Sequence, residues 1–193
     1  MFDLEGMPPY LDELGKVYLW GTQVFGARPS EFMAPIAGFG ANGDKDGWLN
    51  FLATAKRIFQ DYGDIPFVHW AAYEKIKLGV YINRYGDIDG IAARIVANLL
   101  NLLTAAQDSI VLPLRSYSLK VIEESVGYKR KQEEYGGSWA IAMFIEATET
   151  NDEEKRKQLM DKIVAYNQED LEAMWAVFKW LEAKTPAQNY PST

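Results

Sequence analysis

The sequence predicts an α/β domain in which helices flank a mixed β-sheet. Aromatic and β-branched runs, typical of strands, dominate the first 40 residues. From residue 47 onward, apolar residues recur at steps of three and four, and another buried-strand pattern interrupts them. A strand meander followed by alternating helix and strand favours a layered α/β domain. With 193 residues, the chain is long enough for one such domain with a sizeable core.

The predicted strands begin with a meander at the N-terminus. Residues 1–5 (MFDLE) and 16–25 (KVYLWGTQVF) are the first two strands, and residues 32–39 are a weaker third. Pro35 removes a backbone donor from this third segment, which places it near an edge or a bend. A fourth, buried strand is predicted at residues 65–70 (IPFVHW).

The predicted helices follow the meander. An amphipathic helix is expected over residues 47–62 and another from about Tyr73. Residues 90–104 are helical in pattern, although 99–103 could instead form a short fifth strand. Further helices are expected at 118–126, 138–147 and 152–183. The domain therefore spans residues 1–184, and the polar residues 185–193, with two prolines, are expected to form a flexible tail.

Composition narrows the class of protein. Cysteine is absent, which excludes disulfides and thiolate metal sites. The N-terminus has no signal-peptide pattern, and no apolar run approaches the about 20 residues that span a bilayer. We therefore expect a cytoplasmic protein without a membrane partner. The net charge of −7 disfavours a broad nucleic-acid-binding surface but permits a small cleft in which cations invert the local charge.

Two acids in the first strand predict part of a metal site. Alternate side chains of a strand share a face, so Asp3 and Glu5 lie side by side, opposite Phe2 and Leu4. Neighbouring buried carboxylates repel each other unless one binds a proton or a cation lies between them. Oxygen ligands of this kind suit Mg²⁺. The alternative is an exposed edge strand with two solvated acids.

A third acid lies on the apolar face of the long C-terminal helix. Asp170 is four residues after Tyr166 and four before Met174, so it completes the apolar stripe of that helix. A carboxylate on a buried face costs several kcal/mol unless it is paired or binds metal. Tyr166, one turn earlier, could orient a water beside it. The alternative is an aspartate that is paired with a buried arginine or caps a neighbouring helix.

Glu74 and a basic segment are the other candidates. Glu74 follows the buried strand, at the strand end where ligands collect in α/β sheets, although the helix dipole alone would also favour an acid there. His69, the single histidine, is interpreted as a hydrogen-bonded core residue. Cations and tyrosines interleave over residues 115–131, as in surfaces that bind phosphates and stack bases, although a solvated face is the alternative. The candidate nucleic-acid contacts are Arg115, Tyr117, Ser118, Lys120, Lys129 and Arg130.

Four motifs together resemble the RNase H-like, DEDD-type 3′–5′ exonucleases. They are Phe2-Asp3-Leu4-Glu5, the run His69-Trp-Ala-Ala-Tyr-Glu74, the run Ser116-Tyr-Ser-Leu-Lys-Val-Ile-Glu123, and Tyr166-Asn-Gln-Glu-Asp170. They occur in the family's order along nearly the whole chain. Within the superfamily, the chain is most similar to the RNase H-like nuclease domain of RecB-family nucleases.

The resemblance implies an RNase H-like three-layer fold and a metal-dependent nuclease. It implies that Asp3, Glu5, Glu74 and Asp170 hold two Mg²⁺ or Mn²⁺ ions and that Tyr166 orients the attacking water. Two departures stand out. Glu74 replaces the usual aspartate, and residues 98–103 (NLLNLL) carry amides where relatives often carry an Asp-Leu strand.

The expected activity is 3′–5′ exonucleolytic hydrolysis, most readily of single-stranded DNA. The resemblance also implies a RecB-like nuclease domain as partner in the same, longer chain. The short apolar lead before Asp3 suggests that this domain was excised from such a chain. Two alternatives stay open. One is a non-catalytic RNase H-like module that binds nucleic acid or a partner domain, and the other is a metal-dependent phosphatase or phosphotransferase.

Overall fold

A computed structural model describes residues 1–12, 14–40, 42–111, 113–132 and 136–184. Within them the strands are β1 (Phe2–Gly6), β2 (Val17–Thr22), β3 (Phe67–His69) and β4 (Leu99–Asn101). The helices are α1 (Gly43–Tyr62), α2 (Tyr73–Tyr85), α3 (Ile91–Ala97), α4 (Leu102–Ser109), α5 (Leu119–Ser125), α6 (Gly137–Glu149) and α7 (Glu153–Lys184). The predicted tail, residues 185–193, lies outside the described residues.

The N-terminal meander forms, but its third segment is not a regular strand. β1 pairs with β2 in antiparallel register, with Asp3 opposite Gly21. Residues 33–37 follow the other edge of β2 through two isolated bridges, Leu19 to Ile36 and Thr22 to Met33. The weaker strand predicted at 32–39 is therefore present only as these two bridges along the edge of β2. Pro35 accepts a hydrogen bond from Trp20 but has no N–H to return one.

The second pair of strands is parallel and sits beside the first. His69 of β3 lies opposite Asn101 of β4, and β3 contacts β1 without ladder hydrogen bonds. The described residues thus hold an antiparallel and a parallel two-stranded sheet in place of one mixed sheet. The continuous helix predicted over 90–104 is wrong, and the alternative short strand is confirmed at 99–101. The Asn101 side chain caps α4 by accepting a hydrogen bond from the Thr104 N–H at 3.2 Å.

Helices cover both faces of the strands, which confirms the predicted α/β fold class. On one face, Phe2 stacks on Phe51 of α1 with ring centroids 5.2 Å apart, and α2 and α3 join the same core. On the other face, α6 and α7 pack against Tyr18 and Leu19 of β2. Further along α7, Leu171, Met174 and Val177 cover β3 together with α4 and α5. The site described below lies where α7 crosses β1.

α5, α6 and α7 begin and end within two residues of their predicted bounds, whereas α1 begins four residues earlier than predicted and α4 extends beyond any predicted helix. α7 is capped by Asp152, whose Oδ1 accepts hydrogen bonds from the N–H groups of Glu154 and Lys155 at 3.0 and 3.1 Å. Among the described residues, no helix combines the length and apolarity that crossing a membrane requires.

Candidate metal centre

Three carboxylates, two from β1 and one from the distant α7, converge between these two elements. Asp3 and Glu5 lie on the β1 face that contacts α7, and Asp170 projects from α7 toward them. One oxygen from each of the three lies within 4.8 Å of the others. Glu5 and Asp170 are buried and Asp3 is half-buried. The structure therefore brings together three of the four acids that the sequence singled out.

Burial and mutual repulsion oppose ionisation of these acids. Burial, then the charges of Asp170 and Glu5, raise the pKa of Asp3 well above its ordinary value. Burial, followed by the charge of Asp170, raises the pKa of Glu5 to about 8. Burial also raises the pKa of Asp170, although the nearby Arg130 acts in the opposite direction. Such a cluster is stable when protons or a cation neutralise it.

Glu74 lies at the edge of this cluster and outside the group of three. Its side chain is 3% exposed, and its charge contributes to the raised pKa values of Asp3 and Glu5. Its Oε2 lies 3.3 Å from Nδ1 of His69, which is also buried. The first turn of α2 carries Glu74 to the carboxyl end of β3, as the sequence predicted. His69 is a hydrogen-bonded core residue, and its partner is the fourth candidate acid.

Tyr166 lies one turn before Asp170 on the same face of α7. The charge of Asp170 acts on the Tyr166 phenol, and the Tyr166 ring packs against Trp139 with centroids 6.0 Å apart. Burial and then the charge of Asp170 raise the pKa of Tyr166, so the phenol stays protonated at neutral pH. The phenol oxygen keeps lone pairs that can accept a hydrogen bond from a water.

Asn167 is a site residue to which the sequence analysis assigned no role. It is fully buried, and its Nδ2 donates to Oδ2 of Asp3 at 2.6 Å and to Oε1 of Glu5 at 3.3 Å. The signal was available, because Asn167 lies four residues after Ile163 and therefore on the buried stripe of α7. A polar amide at such a position needs polar partners, and here they are the two β1 acids.

Arg130 holds Asp170 from the other side. Its Nε and Nη2 donate to the two carboxylate oxygens of Glu123 at 2.6 and 2.8 Å, and Nη2 also donates to Oδ1 of Asp170. The side chains of Arg130 and Glu123 are 3% and 2% exposed. The sequence placed Arg130 on a nucleic-acid-binding surface; the structure corrects this, because two buried carboxylates bind the guanidinium. The alternative of an arginine-paired Asp170 is thus realised.

The other predicted nucleic-acid contacts lie on or near the surface. Arg115, Ser118 and Lys129 are exposed, and Tyr117 is half-buried. Lys120 approaches the acids, with its Nζ 5.8 Å from the centre of the Tyr166 ring. Burial and then the charge of Arg130 lower the pKa of Lys120, and the charges of Asp170, Glu123 and Glu5 only partly offset this decrease. Of this set, Lys120 therefore lies beside the carboxylates, and Arg115, Tyr117, Ser118 and Lys129 lie nearer the surface.

A largely apolar cavity of about 510 Å³ opens beside Glu5. Its walls come from the β1–β2 connection, α2 and α6, and they include Pro8, Pro9, Tyr73, Ile76 and Ile141. Tyr73 is 39% exposed, and Nζ of Lys77 lies 5.4 Å from the centre of its ring. The cavity can hold a flat apolar group with one end at the acidic cluster.

The donor set fits a hard divalent cation. Three carboxylates within 4.8 Å supply oxygen ligands of the kind that Mg²⁺ and Mn²⁺ bind, and a cation would relieve the repulsion that raises their pKa values. The fold and the site together define an α/β domain with a carboxylate centre that could hold a metal ion.

The family is established by sequence comparison. A family model of the RNase H superfamily matches residues 1–182, and the chain belongs to that superfamily. Membership indicates a nuclease type of hydrolase. No curated protein matches the chain, and no solved structure matches it either.

Proposed function

We propose that this domain is a divalent-metal-dependent nuclease that hydrolyses phosphodiester bonds of single-stranded DNA from the 3′ end. The observation that carries the proposal is the convergence of Asp3, Glu5 and Asp170 within 4.8 Å in a chain of the RNase H superfamily. Asp170 is far from Asp3 and Glu5 in the chain, and gathering the three acids in a buried place is unfavourable unless protons or a cation neutralise them. In a metal-dependent hydrolase, these acids would bind the catalytic cation.

Each acid has a role in the proposal. Asp3, Glu5 and Asp170 would hold one divalent ion, and Glu74 would help to hold a second beside Asp3. Two bound ions, Mg²⁺ or Mn²⁺, supply activation of a water and stabilisation of the charge on the leaving oxygen. The Tyr166 phenol, whose ring packs against Trp139 one turn before Asp170, would accept a hydrogen bond from the attacking water and orient it toward the phosphorus.

The surroundings of the acids suit a nucleic-acid strand. The cavity beside Glu5 offers Tyr73 and proline surfaces on which a terminal base can stack. Lys120 lies where it can neutralise a phosphate that approaches Tyr166. Arg115, Tyr117, Ser118 and Lys129 extend the contacts along the strand. The net charge of −7 implies that binding relies on this local path and on bound metal.

The test is hydrolysis of 5′-labelled single-stranded DNA in the presence of Mn²⁺. We expect the Asp3→Asn and Asp170→Asn variants to lose activity by at least about 100-fold, because each loses a charged ligand worth several kcal/mol in the transition state. Asp161→Asn is the matched control, since Asp161 lies on the same helix as Asp170 with its side chain 66% exposed. Unchanged hydrolysis by both site variants would overturn the proposal.

The direction of cleavage and the partner need separate assays. A ladder that shortens only from the unlabelled 3′ end supports 3′–5′ exonuclease action, whereas internal cuts in circular single-stranded DNA refute it. The resemblance to RecB-family nucleases motivates the proposal of a RecB-like domain as partner in a longer chain. Co-purification with such a domain, and DNA cleavage that depends on it, would support this assignment.

One observation favours a second candidate, a non-catalytic module that binds nucleic acid. Arg130 pairs with Asp170 and supplies positive charge at the place that a cation would otherwise occupy. Calorimetry separates the two candidates. Binding of Mn²⁺ that disappears in Asp3→Asn supports the nuclease. DNA binding with no Mn²⁺ uptake at millimolar concentration supports the module.

A further inference from the structure

Asn167 joins the two acids of β1 through a single amide group. Its Nδ2 lies 2.6 Å from Oδ2 of Asp3 and 3.3 Å from Oε1 of Glu5. Both acceptors are carboxylate oxygens, which fixes the amide orientation with the nitrogen toward the acids. Two acids that repel each other are therefore held by one shared donor.

β2 leaves space for the Asn167 side chain. Gly21 lies opposite Asp3 in the β1–β2 ladder, and its missing side chain leaves the space that the Asn167 amide fills. A Cβ at Gly21 would lie 2.8 Å from Cγ of Asn167 and would overlap its Oδ1. The Asn167 Oδ1 is buried and has no hydrogen-bond partner among the residues that the structure describes. An unsatisfied buried oxygen is unfavourable, so the presence of an amide here points to a functional role for its Nδ2 donor.

An amide suits this position because it is neutral. A lysine or arginine here would attract the carboxylates but repel a divalent ion placed between them. Each carboxylate has about four lone-pair sites, and Asn167 occupies one on Asp3 and one on Glu5. One oxygen of each acid lies within 4.8 Å of a carboxylate oxygen of Asp170, and the other lone-pair sites of both acids remain for a cation. The amide can therefore orient both acids without competing with a cation.

We propose that Asn167 is a positioning residue that holds Asp3 and Glu5 in the geometry in which they bind a divalent cation. The inference rests on the proposed function, since it concerns the same metal centre. Hydrogen-bond partners that orient metal ligands contribute about 10–100-fold to metal affinity. We expect a contribution of that size from Asn167.

The test measures Mn²⁺ affinity by calorimetry and, separately, stability by urea unfolding in EDTA. In Asn167→Leu, which has a similar volume but no donor, we expect Mn²⁺ affinity to fall by about 10–100-fold. Asn50→Ala, an exposed asparagine in α1, is the control and should bind Mn²⁺ like the wild type. A purely structural role would lower stability and leave the affinity of the folded protein unchanged.

A second pair of variants tests the mechanism if Asn167→Leu does not fold. Gly21→Ala keeps Asn167 but displaces it, so we expect the affinity to fall in the same direction. In an Asn167→Ala background, the same Gly21→Ala change should have no further effect, because there is no amide left to displace.

The outcomes separate the inference from the proposed function. If the wild type binds Mn²⁺ and Asn167→Leu binds it equally well, the positioning role is overturned while the metal centre stands. An equal effect of Gly21→Ala in both backgrounds also overturns it. If the wild type takes up no Mn²⁺ at millimolar concentration, the metal centre itself fails, and the positioning role fails with it.

Discussion

Replacement of Arg130 by methionine should destabilise the protein more than any change to an exposed ion pair. The guanidinium is 3% exposed and binds Glu123, 2% exposed, through two hydrogen bonds of 2.6 and 2.8 Å. It also binds Asp170, 11% exposed. Removing one partner of a buried ion pair costs about 3–5 kcal/mol, because the remaining charge is left without compensation. Against a typical total of about 5–15 kcal/mol, this loss is severe.

Protonation of Asp170 limits how much stability Arg130→Met loses. Asp170 has a raised pKa even with Arg130 present, so it can take up a proton when the guanidinium is removed. We therefore expect a decrease of about 3 kcal/mol in the free energy of unfolding, at the lower end of that range. The assay is urea unfolding at pH 7 in EDTA. Lys56→Met is the control, since its pair with Asp89 is about half exposed and should contribute less than about 1 kcal/mol.

Added Mn²⁺ provides a second readout of the same variant. A divalent ion beside Asp170 supplies positive charge that Arg130→Met has lost, so Mn²⁺ should stabilise this variant more than it stabilises the wild type. The reasoning is refuted if Arg130→Met unfolds within about 1 kcal/mol of the wild type in EDTA, the range of an exposed pair. Equal stabilisation of both proteins by Mn²⁺ would refute the link to the metal centre.

Three further predictions concern the acids and the tyrosine. The pKa of Glu5 is about 8 in the folded protein against an ordinary 4.5, so the folded state binds more protons than the unfolded state between these values. The free energy of unfolding in EDTA should therefore fall as pH rises from 4.5 to 8. Thermal unfolding measures this, and a Tm that increases over the same pH range would contradict the prediction. Tyr166→Phe should slow single-turnover hydrolysis by about 100-fold at unchanged Mn²⁺ affinity, because the water loses its orienting group; a matching loss of affinity would place the phenol among the ligands. Glu74→Gln keeps a polar group for His69 but removes a negative charge near Asp3 and Glu5. The pKa values of these two acids should fall, and the pH midpoint of Mn²⁺ binding should therefore move to lower pH. An unchanged midpoint would exclude an electrostatic interaction between Glu74 and the two acids.

Periodicity within single elements was sufficient to predict much of the site. The two-residue repeat of a strand places Asp3 and Glu5 on one face, and the helical repeat places Tyr166 and Asp170 on one stripe. Both relations are local, because they depend on the geometry of one strand or one helix. The helices and the fold class followed from the same kind of pattern. The weaker third strand expected at residues 32–39 is reduced to two isolated bridges, because Pro35 interrupts the ladder that its neighbours begin.

The partners of these residues were decided by tertiary packing. Asn167 is 164 residues from Asp3, and Arg130 is 40 residues from Asp170, so no local pattern relates them. A basic residue in a basic segment looks like a surface cation, and only the packing of the segment after α5 against α7 buries Arg130 between Glu123 and Asp170. The sequence by itself determined which side chains share a face. Which faces meet depends on how distant elements fill space against one another, and that physical constraint acts only in the folded chain.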